Sequence, residues 1–165
     1  MVKNWMEIVA LDPGRTTGYA MAIVKDGKPY IGYAQAKWDH QQLFKFLDSL
    51  GECNIICESF EFRQRATGVD YYPVELIGVI QLIAQIELLY LAFQPASVQG
   101  KKAHFSDARL KQMELYQKGE DFHHGRSAVK HLLYWMHFGH GSMNKIDLTQ
   151  AELVTISWLK DEWLG

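Results

Sequence analysis

Val9-Ala10-Leu11-Asp12-Pro13-Gly14-Arg15-Thr16-Thr17-Gly18-Tyr19 is the stretch on which the fold turns. Residues 5–11 are apolar except for Glu7, as a buried strand requires, and the run stops at an aspartate followed by Pro-Gly. A second strand is expected over residues 17–24. Lys25-Asp26-Gly27-Lys28 then supplies an Asp-Gly pair, suited to the positive φ of a two-residue hairpin turn. Residues 29–37 return as a third strand. Asp12 is thereby placed at a sheet rim, beside glycines that let a substrate backbone approach closely.

Working outward, Asp39 can cap a helix running to about Leu50, with Leu43, Phe44 and Leu47 on one face. Residues 54–60 read as a fourth strand carrying Glu58. Residues 73–90 read as a long, largely buried helix with Pro73 in its first turn, and residues 91–94 as a short fifth strand. The last third reads as helices. One spans residues 122–137 and is broken at Gly139-His140-Gly141-Ser142. Another opens on the capping box Thr149-Gln150-Ala151-Glu152 and runs to Trp163. The order predicts an α/β protein with a mixed five-stranded sheet flanked by helices. With no repeat, low-complexity tract or linker, residues 1–165 are expected to form one domain, with 142–165 as a C-terminal helical extension.

Composition agrees with a packed globular interior: 48% hydrophobic, 22% charged and five tryptophans among 165 residues. No apolar run reaches the roughly 18–20 residues of a membrane helix, and the start lacks an apolar leader core, so a cytoplasmic protein without membrane partners is expected. Cys53 and Cys57 read as buried free thiols. The net charge of −2 does not advertise a nucleic-acid binder, but Lys101, Lys102, Arg109, Lys111 and Lys118 stand against only Asp107 and Glu114 in residues 98–118.

The chemistry-bearing residues begin with Asp12 and Glu58, each ending an apolar strand. If the first and fourth strands are neighbours, both carboxylates reach one hard cation, the arrangement phosphoryl transfer uses. On the helix Phe122-His123-His124-Gly125-Arg126-Ser127-Ala128-Val129-Lys130-His131, residues His124, Ser127 and His131 share a face through spacings of three and four. An imidazole there can bind a metal or act as a base.

Together these residues resemble the RuvC-type Holliday junction resolvases, most nearly those encoded by bacteriophages. The resemblance runs from residues 9–20 through Cys57-Glu58-Ser59-Phe60, Ile77-Gly78-Val79-Ile80, Gln94-Pro95-Ala96-Ser97 and residues 107–116 to His124-Gly125-Arg126-Ser127-Ala128-Val129-Lys130-His131, and so covers about residues 7 to 138. It implies an RNase H-like fold, a homodimer, and a magnesium- or manganese-dependent endonuclease that cuts branched DNA such as four-way junctions with two ions. By position it implies Asp12, Glu58 and His124 as metal-binding catalytic residues. The next position, an aspartate in the family, is Ser127, followed by the expected Ala128. A hydroxyl binds cations more weakly than a carboxylate and removes one negative charge. Three readings stay open: a site that works with Asp12, Glu58 and His124, with Ser127 holding a water; a contribution from Asp121; or a junction-binding relative that does not cut. If a charge is missing, Ser127→Asp should raise activity at low Mg²⁺.

Phosphate contacts are expected from Arg15, from Arg63 and Arg65, from Lys101 and Lys102, and from Arg126 and Lys130. Tyr71 or Tyr72 can stack on an unpaired base. A two-fold junction suits a two-fold dimer, and the apolar helix of residues 76–90 is a candidate interface as well as core. Rival readings are an ATP-binding kinase or actin-like protein, whose phosphate-cradling turns resemble residues 12–18, and an RNase H-like nuclease acting on RNA–DNA hybrids.

Overall fold

The computed structural model describes residues 5–61, 68–100, 103–139 and 146–165. Strands β1 (Trp5–Asp12), β2 (Thr17–Lys25) and β3 (Lys28–Ala36) form an antiparallel meander. Its tight turn places Asp26 at φ 52° and Gly27 at φ 80°, the two left-handed residues that the Asp-Gly pair calls for. Helix α1 (His40–Leu50) follows, its Asp39 and Gln42 forming a reciprocal capping box. Strand β4 (Asn54–Glu58) lies parallel to β1, pairing Leu11 with Cys57. Helix α2 (Tyr72–Ile86) crosses back to β5 (Leu91–Gln94), parallel to β4.

After a 3-10 turn at Ala96–Gln99 come α3 (Asp107–Gln112) and α4 (His123–Tyr134), which continues as a π-turn through Gly139. The chain ends in strand β6 (Glu152–Leu153) and helix α5 (Ile156–Leu164). The sheet order is β5-β4-β1-β2-β3-β6, one strand more than expected. Alternation along the strands fills both faces. Ile8, Ala10, Ala20 and Ala22 meet Ala128, Val129 and Leu132 of α4. Val9, Leu11, Met21 and Ile23 meet Leu43 and Leu47 of α1, Ile80 and Ile83 of α2, and Trp163 of α5. The alanines stand on the α4 side, so that helix can lie close to the sheet.

The C-terminal segment departs from expectation. Thr149 and Glu152 do not open a helix. Asp147 caps a 3-10 turn at Leu148–Gln150, Glu152 pairs with Tyr30, Leu153 pairs with Ile31, and Thr155 caps α5 by accepting from the Trp158 N–H. The free edge of β3 left unpaired backbone groups, and pairing them outweighed a local capping signal. Trp163 is fully buried and its indole N–H donates to the Leu50 carbonyl at 2.9 Å. Trp163→Phe is expected to cost about 2 kcal/mol, because it removes packed area and orphans a buried carbonyl. Urea unfolding measures this, and an unchanged midpoint would mean α5 is not part of the cooperative core.

Helix α2 is less buried than its composition suggested. Leu76, Ile80, Ile83 and Ala84 face the core, while Val74, Leu82 and Ile86 are exposed on the other side. Both cysteines are buried and free, and burial pushes the Cys53 thiol up to about 12. No helix among the described residues is long and apolar enough to cross a membrane.

Candidate active site at the rim of strands β1 and β4

The parallel register of β1 and β4 brings both strands to an end on the same rim, so Asp12 and Glu58 meet. The two carboxyl groups stand side by side, close enough to share a proton. Burial, then the hydrogen bond with Glu58 and its charge, push Asp12 up to about 8. Burial also works against the charge of Glu58, but hydrogen bonds from His131, Asp12 and Gln99 outweigh it and hold this acid below the usual range. At neutral pH the metal-free pair therefore shares one proton.

Two adjoining clefts open on Asp12. One, of about 220 Å³, is lined by Asp12, Glu58, Glu61 and Ile77 among others. The other, of about 470 Å³, is lined by Asp12, Arg15, Asp70, Gln99, His124 and Ser127 among others. His124 reaches this cleft because α4 begins almost in contact with the sheet. The missing Cβ of Gly18 makes room for the His124 carbonyl, and that of Gly125 for the Ala34 carbonyl. The His124 N–H donates to the Gln35 side chain at 2.9 Å. Burial, then the charge of His123, lower the His124 imidazole below its ordinary value, with Glu120 opposing. A neutral ring is the form that binds metals.

Glu58 is gripped from behind. Its Oε2 lies 3.1 Å from Nε2 of the fully buried His131 and accepts from Gln99 Nε2 at 3.3 Å. His131 Nδ1 lies 2.8 Å from the Gln94 side-chain oxygen, and the Ser127 hydroxyl donates to Gln99 Oε1 at 2.9 Å. The spacing of His131 to Ser127 placed it on the right face, although its attachment to Glu58 was not foreseen. Gln99 belonged to none of the sequence motifs. Only the packing of the Ala96–Gln99 turn beneath α4 brings it in.

The donor set suits one hard divalent cation at Asp12 and Glu58. Two partly buried carboxyl groups side by side, one of them holding a proton, are a place where a dication can replace that proton. Among the described residues no third His, Cys, Asp or Glu joins them in one cation-sized cluster. His124 stands across the larger cleft, which it shares with Asp12. Asp121 is exposed and lines neither cleft.

The expected DNA contacts divide. Arg15 is exposed at the larger cleft, bonded to Asp70 through Nε at 3.1 Å and lying over the Tyr72 ring at 5.2 Å. Tyr71 is exposed, while the Tyr72 hydroxyl donates to the Trp38 carbonyl. Arg126 and Lys130 are corrections. Arg126 is buried, donates to the Gln117 and Gly119 carbonyls at 2.6 and 3.0 Å, and lies over Tyr116. Lys130 is buried against Asp107 at 2.7 Å. Helical rotation puts residues two and six places after His124 on the far side of α4 from the cleft. Arg63, Arg65, Lys101 and Lys102 lie outside the described residues.

A mixed sheet of this order, with helices on both faces and acids at the ends of its first and fourth strands, is an RNase H-like fold. Within that class the chain has the RuvC-type form. Over 81% of its length it superposes on 97% of Thermus thermophilus RuvC with a TM-score of 0.59 at 12% identity. The same protein in complex with Holliday junction substrate gives 0.57 at 13% identity, with 81% and 98% of the two chains covered. The fowlpox virus Holliday junction resolvase gives 0.55 at 12% identity, with 80% and 99% covered. No protein-family model matches the sequence, and neither does any curated protein.

Proposed function

We propose that this protein is a metal-dependent, structure-specific endonuclease that cuts branched DNA, four-way junctions above all, and that residues 1–165 act as one nuclease unit. The observation that carries this reading is the partly buried Asp12–Glu58 pair at the rim of two parallel strands. The resolvases that share the fold support junction DNA as the substrate. Magnesium or manganese would suit the oxygen donors, with Asp12 and Glu58 the residues that would hold one ion and His124, across the larger cleft, the candidate to help hold a second. When bound, such ions neutralise charge developing on the phosphate and lower the pKa of water. Hydrolysis then joins a water oxygen to phosphorus, breaks one P–O bond and hands a proton to the departing sugar oxygen. Arg15 would meet a phosphate by exchanging Asp70 for it. Tyr71 would stack on an unpaired base, and the basic residues Arg63, Arg65, Lys101 and Lys102 complete the proposed contacts.

A phage-encoded homodimer in the host cytoplasm completes the reading. The exposed stripe Val74, Leu82 and Ile86 on α2, with Gly78 between them, offers a self-complementary helix face. Leu82→Glu is expected to turn a dimer into a monomer by sedimentation and to replace paired cuts by single nicks. A wild-type protein that sediments as a monomer while making paired cuts would dispose of this interface.

The reading is tested by incubating a labelled four-way junction with the unaltered protein in Mg²⁺, in Mn²⁺ and in EDTA. Paired cuts near the branch that need metal establish it. Tight binding without cuts in either metal favours the second reading, a junction binder that does not cut, which the neutral Ser127 supports. Equal cleavage of an RNA–DNA hybrid, or binding of ATP with Mg²⁺ and no DNA, would point to the rival classes.

A further inference from the structure

Ser127 stands where a carboxylate was expected, and its surroundings assign it other work. Its hydroxyl hydrogen is directed at Gln99 Oε1, 2.9 Å away. That bond decides which end of the Gln99 amide faces Glu58: the oxygen is taken by Ser127, so the NH₂ end points at Glu58 Oε2, 3.3 Å away. His131 Nε2 meets the same oxygen at 3.1 Å and is itself held through Nδ1 by Gln94 at 2.8 Å. Two donors from two different elements thus grip one oxygen of Glu58 and set the plane of its carboxyl group. No buried side-chain polar atom among the described residues is left without a partner, so the network is closed.

We propose that Ser127 is a positioning residue, acting through Gln99 to orient Glu58, and that the site is built around a hydroxyl rather than lacking a ligand. The inference rests on the nuclease reading for the purpose of Glu58, but the relay itself is a matter of which atoms donate. A carboxylate at this position has no hydrogen to give. Facing Gln99 Oε1 it repels, and the amide turns over to donate to it. The Gln99 oxygen then meets Glu58 Oε2, acceptor against acceptor, and Glu58 loses the Gln99 donor. The expectation that Ser127→Asp raises activity is therefore reversed.

The test uses the whole protein and two readouts. First, without metal, exchange of the Gln99 side-chain amide protons is followed by ¹⁵N-resolved NMR. Ser127→Ala is expected to speed that exchange at least about tenfold, and Ser127→Thr, which keeps the hydroxyl, to leave it slow. Second, Mn²⁺ binding is measured by EPR without DNA. Ser127→Ala, Ser127→Asp and Gln99→Leu are each expected to weaken it about tenfold, the usual effect of removing a group that orients a ligand, while Ser127→Thr stays within about twofold of wild type. Unchanged Gln99 exchange in Ser127→Ala overturns the relay. So does tighter Mn²⁺ binding with faster cleavage in Ser127→Asp, which would mean a ligand position awaiting its carboxylate. Wild-type protein that takes up no Mn²⁺ at all would sink the nuclease reading instead, and the exchange measurement would still decide the relay.

Discussion

Asp12→Asn should abolish Mg²⁺-dependent cleavage of a four-way junction, by at least about a thousandfold, while leaving junction binding within a few-fold of wild type. Glu58→Gln should do the same. Metal-free stability is expected to move the other way. Asp12 has an ordinary value of 3.8 and lies at about 8 in the folded protein. Between those values the folded chain keeps a proton that the unfolded chain has released. The native state thus binds more protons, and metal-free stability falls as pH rises from about 4 to 8. The lowered Glu58 works in the opposite sense, its contribution present above its ordinary value and lost in acid, below the window in which Asp12 acts.

In EDTA at pH 8, Asp12→Asn is therefore expected to be more stable than wild type by a few kcal/mol, or about 5–10 °C in Tm. Added Mg²⁺ should raise the wild-type Tm and leave the variant unmoved. Thermal melts from pH 5 to 8, with and without Mg²⁺, read all of this. A variant that loses junction binding and shows an unfolded circular-dichroism spectrum would make Asp12 structural. One that melts below wild type at pH 8 in EDTA would show that the carboxyl pair is not strained by burial.

Gly18→Ala has the second large effect, and it arises from no charge at all. A Cβ on Gly18 would lie 1.9 Å from the His124 carbonyl oxygen, far inside contact distance, and the obstacle is backbone that no rotamer change can move. Helix α4 would have to lift from β2. That opens the packing of Ala128, Val129 and Leu132 on the alanine face of the sheet, and carries His124, Ser127 and His131 away from the acids together. A loss of more than about 3 kcal/mol is expected, at the severe end of overpacking, with cleavage falling at least about a hundredfold. Urea unfolding and a cleavage assay on whatever fraction folds measure the two parts. A fully folded, fully active Gly18→Ala protein would mean that the close seat of α4 on the sheet is not what positions His124.

The meander of β1, β2 and β3, the capped α1 and the two acid-ended strands were all legible in the chain. Each rests on local physics: alternation or a continuous apolar run, an Asp-Gly turn, a capping Asp39, an acid at a strand's last residue. From these the fold class and the Asp12–Glu58 pair follow, as soon as β1 and β4 are neighbours. The order of motifs along the sequence pointed to the same RuvC-type fold that superposition bears out. Helix α4 was legible as an element, and its His124–Ser127–His131 face was correctly grouped.

What the chain alone left undecided depends on partners distant in sequence. The sixth strand exists because β3 offered a free edge, a need that no residue near Glu152 announces. Arg126 and Lys130 share the His124 helix and were expected to face the same phosphates, yet helical phase turns them away, Arg126 to the carbonyls of Gln117 and Gly119 and Lys130 to Asp107. The α2 helix read as largely buried, with apolar residues on most of its faces, and only packing determined which side meets α1 and the sheet. At the site, sequence named the acids but could not say which atoms hold them. That depends on a glutamine 41 residues from Glu58 and a histidine 73 residues away, brought to one oxygen by tertiary packing. Local propensity is written along the chain, whereas donors and acceptors are matched only once the chain has closed on itself.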